Sequence, residues 1–245
     1  MKTKEWFAGW FDSPYYHELY KNRDYTEAQL FMDNVVKHFD IKSDKKVLDL
    51  ACGKGRHSIY LAKKDIQVTG LDLSRQSIQY ADSLNIANTE FYIHDMRQPF
   101  RIRYYDYILN LFTSFGYFQT EREHVKSLSS MRKGIKKGGA IIIDFMNARK
   151  VKDNLVLSEV VNRENLSFDI TRRVENNRII KSIEFSDKGK DYYFEESVWG
   201  FELADFEKLT MMAGLTIQAT YGNYNLDSYD EKSSPRLIML LSHSI

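Results

Sequence analysis

One cysteine, three prolines and no surplus of either charge are what this 245-residue chain has least of, and each shortage excludes something. A lone thiol, Cys52, rules out an internal disulfide. Few prolines and only 12 glycines beside 43% hydrophobic residues fit no disordered class. The 35 basic and 34 acidic side chains leave a net charge of +1, so no global field draws the chain onto nucleic acid or an anionic membrane. No apolar run approaches the roughly 18 residues of a membrane helix. The opening Met-Lys-Thr-Lys-Glu-Trp-Phe also lacks the apolar stretch of a signal peptide. No group of Cys, His and carboxylate has metal-ligand spacing. The expectation is a cytoplasmic chain with no metal, membrane or nucleic-acid partner, long enough for one α/β domain and an elaboration.

What the chain does have is centred on residues 46–58, Lys-Val-Leu-Asp-Leu-Ala-Cys-Gly-Lys-Gly-Arg-His-Ser. Val47, Leu48 and Leu50 read as a buried parallel strand, and a glycine turn then leads into a helix from about Arg56. Gly53 and Gly55 let the backbone approach a ligand, and the helix start offers free N–H groups. A dinucleotide fingerprint needs Gly or Ala three residues after its second glycine, where this chain has Ser58. Asp49 would repel a pyrophosphate and suits a ligand carrying a positive amino group. A second strand, 67–72, ends on Asp72, 19 residues past Gly53, where a carboxylate can take both ribose hydroxyls of an adenosine ligand. Capping of the helix that starts near Ser74 is the other reading of Asp72, and its pairing with the glycine turn favours the ribose.

The segment Asp-Leu-Ala-Cys-Gly-Lys-Gly resembles motif I of the class I S-adenosylmethionine-dependent methyltransferases, departing once, at Ala51, where many members have glycine. The stretch from Trp10 to Asp24 is similar to the opening of a bacterial small-molecule subgroup of that class, as is the late Ser-Ser-Pro-Arg-Leu-Ile. The resemblance implies S-adenosylmethionine as cofactor. It makes Tyr16, Tyr20 and Arg23 cofactor ligands, with Arg23 on the methionyl carboxylate, and it sets Asp95 and Met96 against adenine at the end of a third strand. Ala51, Leu73 and Asn110 join the same set. His94, beside Asp95, is given no role.

The fourth strand, 107–112, runs into Thr-Ser-Phe-Gly-Tyr-Phe. Base-amine methyltransferases of this class carry an Asn or Asp, two prolines and an aromatic here. Asn110-Leu-Phe-Thr is not that motif, which with the neutral charge argues against nucleic-acid bases. Aromatic faces attract a sulfonium, so Phe112 is expected at the cofactor and Phe115 and Tyr117 at the substrate. Tyr16, His17 and Tyr117 are candidate proton acceptors. No signature base is visible, and an already activated leaving group needs mainly alignment.

The expected architecture is a doubly wound, mostly parallel seven-stranded sheet with an antiparallel edge strand. Residues 1–40 form a helical cap whose aromatics either close over the ligand or pack the cap down, with Thr26 capping its main helix. Residues 41–154 are the cofactor core, 155–203 an inserted three-stranded antiparallel meander, and 204–245 complete the sheet. The insertion is a substrate lid or a dimer contact, and the chain a monomer or homodimer. The favoured activity is methyl transfer to a small molecule. A peptide or protein acceptor, a non-catalytic protein that holds the cofactor or its adenosyl product, and a nicotinamide dehydrogenase are weighed behind it.

Overall fold

The computed structural model describes residues 9–21 and 25–244. Helix α1 spans Pro14–Leu19, with Pro at its first turn and Ser13 at its N-cap accepting from the Tyr15 N–H. Helix α2, Tyr25–His38, begins a residue before Thr26, so that threonine sits inside the first turn rather than capping it. The core then alternates: β1 Lys46–Leu50, α3 Arg56–Ala62, β2 Gln67–Asp72, α4 Arg75–Ser83, β3 Thr89–Ile93, β4 Tyr105–Asn110, α5 Glu121–Gly134, β5 Ile135–Met146 and α6 Ala148–Asp153. Four antiparallel strands follow: β6 Ser158–Asn162, β7 Ser167–Glu175, β8 Arg178–Asp187 and β9 Lys190–Trp199. Helix α7, Leu203–Ala213, and strands β10, Leu215–Tyr221, and β11, Arg236–His243, return to the main sheet.

The seven-stranded sheet has the order β10-β11-β5-β4-β1-β2-β3 and is parallel except for β11, which pairs antiparallel with both neighbours. The antiparallel strand is thus one in from the edge. Its apolar run explains the place: Leu237, Ile238, Met239 and Leu241 are buried, whereas β10 is buried only at Leu215. Strand order reverses between β1 and β4, which opens a crevice beyond the carboxyl ends of the strands.

The insertion has four strands rather than three. The extra one, β6, reads Ser-Glu-Val-Val-Asn and is mostly exposed, so it carries no clear apolar alternation. Asn176 and Asn177 both take positive φ, 49° and 58°, the two-residue hairpin that the paired asparagines predict. One face of this second sheet buries Phe168, Ile170, Ile183 and Phe185 against Trp10 and Leu19 of the cap. The cap aromatics therefore settle on the insertion. Trp10 Nε1 and the Tyr20 hydroxyl both donate to the Glu196 carboxylate, at 2.7 and 2.8 Å, and Lys181 Nζ donates to the Tyr20 hydroxyl at 2.6 Å. Lys136 belongs to the start of β5 and pairs with Asp106, whereas Arg132 and Lys133 lie in the last turn of α5.

Candidate active site

A cavity of about 470 Å³ lies over the carboxyl ends of β1, β2 and β4, within the ordinary range for small-ligand sites. Its floor is the turn after β1. Ala51, Gly53 and Gly55 all have positive φ, 64°, 55° and 77°, and the Ala51 and Cys52 N–H groups donate to the Leu71 carbonyl. At Ala51 the left-handed backbone accounts for the glycine common in the resembling motif, since a Cβ there costs on the order of 1 kcal/mol. Gly53 lines the cavity. Gly55 does not: a Cβ on it would lie 2.8 Å from the Phe91 ring, so this glycine serves packing of the turn rather than approach of a ligand.

Two carboxylates brace the floor. Asp49 is fully buried, and one of its oxygens accepts from the Ser58 hydroxyl at 2.6 Å and the Ser58 N–H at 3.1 Å. The residue that breaks the dinucleotide pattern thus has a positive role as the carboxylate's partner. Burial pushes Asp49 from 3.8 up to about 6 against the pull of those hydrogen bonds. Asp72 accepts the Gly53 N–H and the Ser74 N–H, each at 2.8 Å, one on each oxygen. Burial raises its affinity for a proton. Each oxygen keeps a second lone pair, so the two together can still accept two hydroxyls. The cap reaches the same place: Asp12 accepts from the Ser74 hydroxyl at 2.6 Å and the Gln76 N–H at 3.2 Å. Nothing local in the sequence marks that contact, because 62 residues separate Asp12 from Ser74.

The cavity brings together Tyr16, His17, Tyr20, Asp49, Ala51, Gly53, Asp72, Leu73, Met96, Phe112 and Tyr117 of the residues that the sequence singled out. Four others lie elsewhere. Asn110 is buried and donates to the Leu50 carbonyl at 2.9 Å, tying β4 to β1. Asp95 is held by Arg97, whose Nη2 is 2.7 Å away and whose Nη1 meets Glu123 at 2.8 Å. Phe115 is fully buried among Phe201, Phe206 and His124, so it packs the core instead of facing a substrate. Gly55 is the fourth, and Arg23 lies outside the described residues. The lining also includes Phe11, Lys54, Arg56, His57, Thr113 and Ser114, which sequence reasoning passed over. For Arg56 and His57 a signal existed, since they follow the glycine turn directly.

Phe11 meets Tyr117 edge to face at 5.3 Å, so the cap and the loop after β4 touch across the cavity. The His17 Nε2 is buried and has no hydrogen-bond partner among the described residues. Burial and the nearby Lys54 hold its proton affinity below that of an ordinary histidine, keeping the ring neutral. Phe112 stacks on His57, with centroids 5.0 Å apart and planes 22° from parallel. No group of three or more potential metal ligands occurs among the described residues.

A doubly wound sheet with an acid near the carboxyl end of each of its first two strands, around a small-ligand cavity, defines a nucleoside-cofactor enzyme of the class I type. The profile of the family described as "Methyltransferase domain" matches residues 41–198, and the chain belongs to the S-adenosylmethionine-dependent methyltransferases of that class. It is 27% identical over 152 residues to protein GWCH70_2453 of Geobacillus sp. (strain WCH70), covering 61% of this chain but only 60% of that relative's length. It is 26% identical over 185 residues to the dTDP-3-amino-3,4,6-trideoxy-alpha-D-glucopyranose N,N-dimethyltransferase of Streptomyces venezuelae, covering 72% of this chain and 77% of the other. Among solved structures, an S-adenosylmethionine-dependent methyltransferase from Clostridium acetobutylicum superposes with a TM-score of 0.77 at 19% identity, over 94% of this chain and 96% of that one. The last shows a shared fold. The cofactor of the family is S-adenosylmethionine, and the residues present fit it: a buried acid for an ammonium, a second acid with lone pairs for a diol, and aromatic rings for a sulfonium.

Proposed function

We propose that this cavity holds S-adenosylmethionine and that the protein transfers its methyl group to a small-molecule amine. The observation that carries the reading is the roof. The cap is anchored on the inserted sheet through Glu196 and meets the loop after β4 through Phe11 and Tyr117, so the acceptor must fit beneath side chains rather than lie along an open groove. The similarity to an amino-sugar N,N-dimethyltransferase of Streptomyces venezuelae supports an amine as acceptor.

When bound, the cofactor would supply a methyl group on a positively charged sulfonium, whose sulfur leaves as a neutral thioether. Asp49 receives the amino group of the cofactor and Asp72 its ribose hydroxyls. Leu73 and Met96 line the adenine end, and Phe112 presents its ring toward the cation. Tyr16 and Tyr20 close that side from the cap, with the Tyr20 hydroxyl held by Glu196 and Lys181. Tyr117 and Phe11 would exclude water and orient the acceptor toward the methyl group. His17, with a ring nitrogen that has no hydrogen-bond partner among the described residues, takes the proton that the amine must lose, with Tyr16 and Tyr117 as alternative acceptors among the lining residues. The insertion acts as a support for the lid.

Two measurements test this. Calorimetric titration with S-adenosylmethionine and S-adenosylhomocysteine should show binding of both, and Asp72→Ala should weaken each about tenfold or more, on the order of 1.5 to 3 kcal/mol. Labelled cofactor offered to small amines, amino sugars among them, and to a peptide mixture should mark the small amines. Absence of binding overturns the cofactor site, and label confined to peptides overturns the acceptor class.

A further inference from the structure

The loop that faces the reacting end of the cavity is held in an unusual shape. Phe112 and Thr113, two successive residues that are not glycine, both have left-handed backbone, with φ of 55° and 59°. Such residues are uncommon singly, a β-branched one like Thr113 more so, and they persist only when their surroundings impose the conformation. Here the imposing groups come from the far end of the chain. Asp144, fully buried on β5, accepts the Phe112 N–H on its carboxylate at 2.8 Å, while its main-chain carbonyl accepts the Thr113 N–H at 2.9 Å. Arg236, at the start of β11, donates from Nε to the other oxygen of Asp144 at 2.7 Å and from Nη2 to the Thr113 hydroxyl at 3.0 Å. Tyr224, in the connection between β10 and β11, packs its ring on Phe112 at 5.4 Å, and His57 and Arg56 of α3 and Phe31 of α2 also lie against that ring.

We infer that Arg236, bridging Asp144 and the Thr113 hydroxyl, is a positioning residue that fixes the ring of Phe112 and the Thr113–Ser114 wall against the sulfonium end of the cofactor. The inference rests on the cavity being the cofactor site. It makes a residue outside the cavity lining responsible for how well the site distinguishes a charged sulfonium from a neutral thioether. The planar fork of arginine is needed because two acceptors in different directions must be reached at once.

The probes are S-adenosylmethionine and S-adenosylhomocysteine, titrated by calorimetry into the full chain. The readout is the ratio of the two affinities, which a general loss of stability does not move. Arg236→Lys keeps a cation for Asp144 but loses the fork. Thr113→Ala removes the same hydrogen bond from the other side with little risk to folding. Each should lower the preference for the sulfonium at least threefold, the double variant should lower it no further than either alone, and Thr113→Ser should retain the wild-type ratio. An unchanged ratio in Thr113→Ala while the wild type binds both ligands overturns the inference. Effects of the two substitutions that simply add also overturn it, because Arg236 would then not act through Thr113. If the wild type binds neither ligand, the cofactor site itself is wrong, an outcome distinct from either.

Discussion

Replacing Asp49 with asparagine should make the protein without cofactor more stable and bind its cofactor worse. The carboxyl group is pushed from 3.8 to about 6 by burial, while among the described residues Ser58 alone donates to it by hydrogen bonds. That rise corresponds to roughly 3 kcal/mol of penalty for keeping the group ionised. In the window from pH 3.8 to about 6 the folded state holds more protons than the unfolded one, so stability falls as the pH rises through it. Below the window the penalty is absent, and above it the penalty is complete. Asparagine can still accept from the Ser58 hydroxyl and N–H and carries no charge to desolvate. At pH 7 the Asp49→Asn variant should therefore exceed wild type by up to about 3 kcal/mol, or roughly 6 to 12 °C in melting temperature for a chain of this size. At pH 4 the two should nearly coincide. The comparison must be made as a difference, because His124, buried and lowered to about 4, titrates over the same range with the opposite sign, its neutral form being lost as the pH falls. Urea unfolding of both proteins from pH 4 to pH 7.5 supplies that difference, and calorimetry at pH 7 should show a loss of about tenfold or more in affinity for S-adenosylmethionine. A variant less stable than wild type at pH 7, or a difference that does not change with pH, would refute the reasoning. An unimpaired affinity would remove Asp49 from the ammonium.

Ala51→Gly should raise the melting temperature, since a left-handed backbone at φ 64° favours glycine by about 1 to 2 kcal/mol, more than the entropy that glycine adds to the unfolded chain; a drop on a thermal scan would contradict this. Glu196→Ala should release the cap: Trp10 and Tyr20 lose their shared acceptor and Lys181 its ion pair with that carboxylate, at a cost on the order of 3 kcal/mol. Red-shifted tryptophan emission and faster proteolysis between residues 9 and 21 are the expected signs, and an unchanged digestion pattern would show that the apolar contacts with Phe168 and Phe194 hold the cap by themselves.

Much of this molecule was legible because its signals are local. The turn after β1 requires particular backbone angles over a few consecutive residues, and Asp49, Gly53 and Asp72 stand at fixed offsets from it, so periodicity and spacing placed them. The pairing of Asp95 with Arg97 is equally local, two residues apart. The hairpin at Asn176–Asn177 needed only the dipeptide. In contrast, Phe115 and Phe112 are indistinguishable as neighbours in one aromatic loop. Packing of Phe115 against Phe201 and Phe206 of the segment leading into and through α7, some 90 residues on, turned it into the core and left Phe112 at the cavity.

The sequence by itself determined the class of fold and the turn that floors the site, since strand, turn and helix starts depend on neighbouring residues and on the alternation of apolar positions, and the cofactor followed from the resemblance of that turn to motif I. Only the tertiary structure decided what stands above that floor: Asp12 on the α4 turn, Glu196 under the cap, and Arg236 with Asp144 behind the loop after β4. These contacts join residues 62 to 186 positions apart. A hydrogen bond over such a separation leaves no periodic trace, because its partner is chosen by how the sheets and the cap pack, and any of several acids or arginines would read alike in the chain.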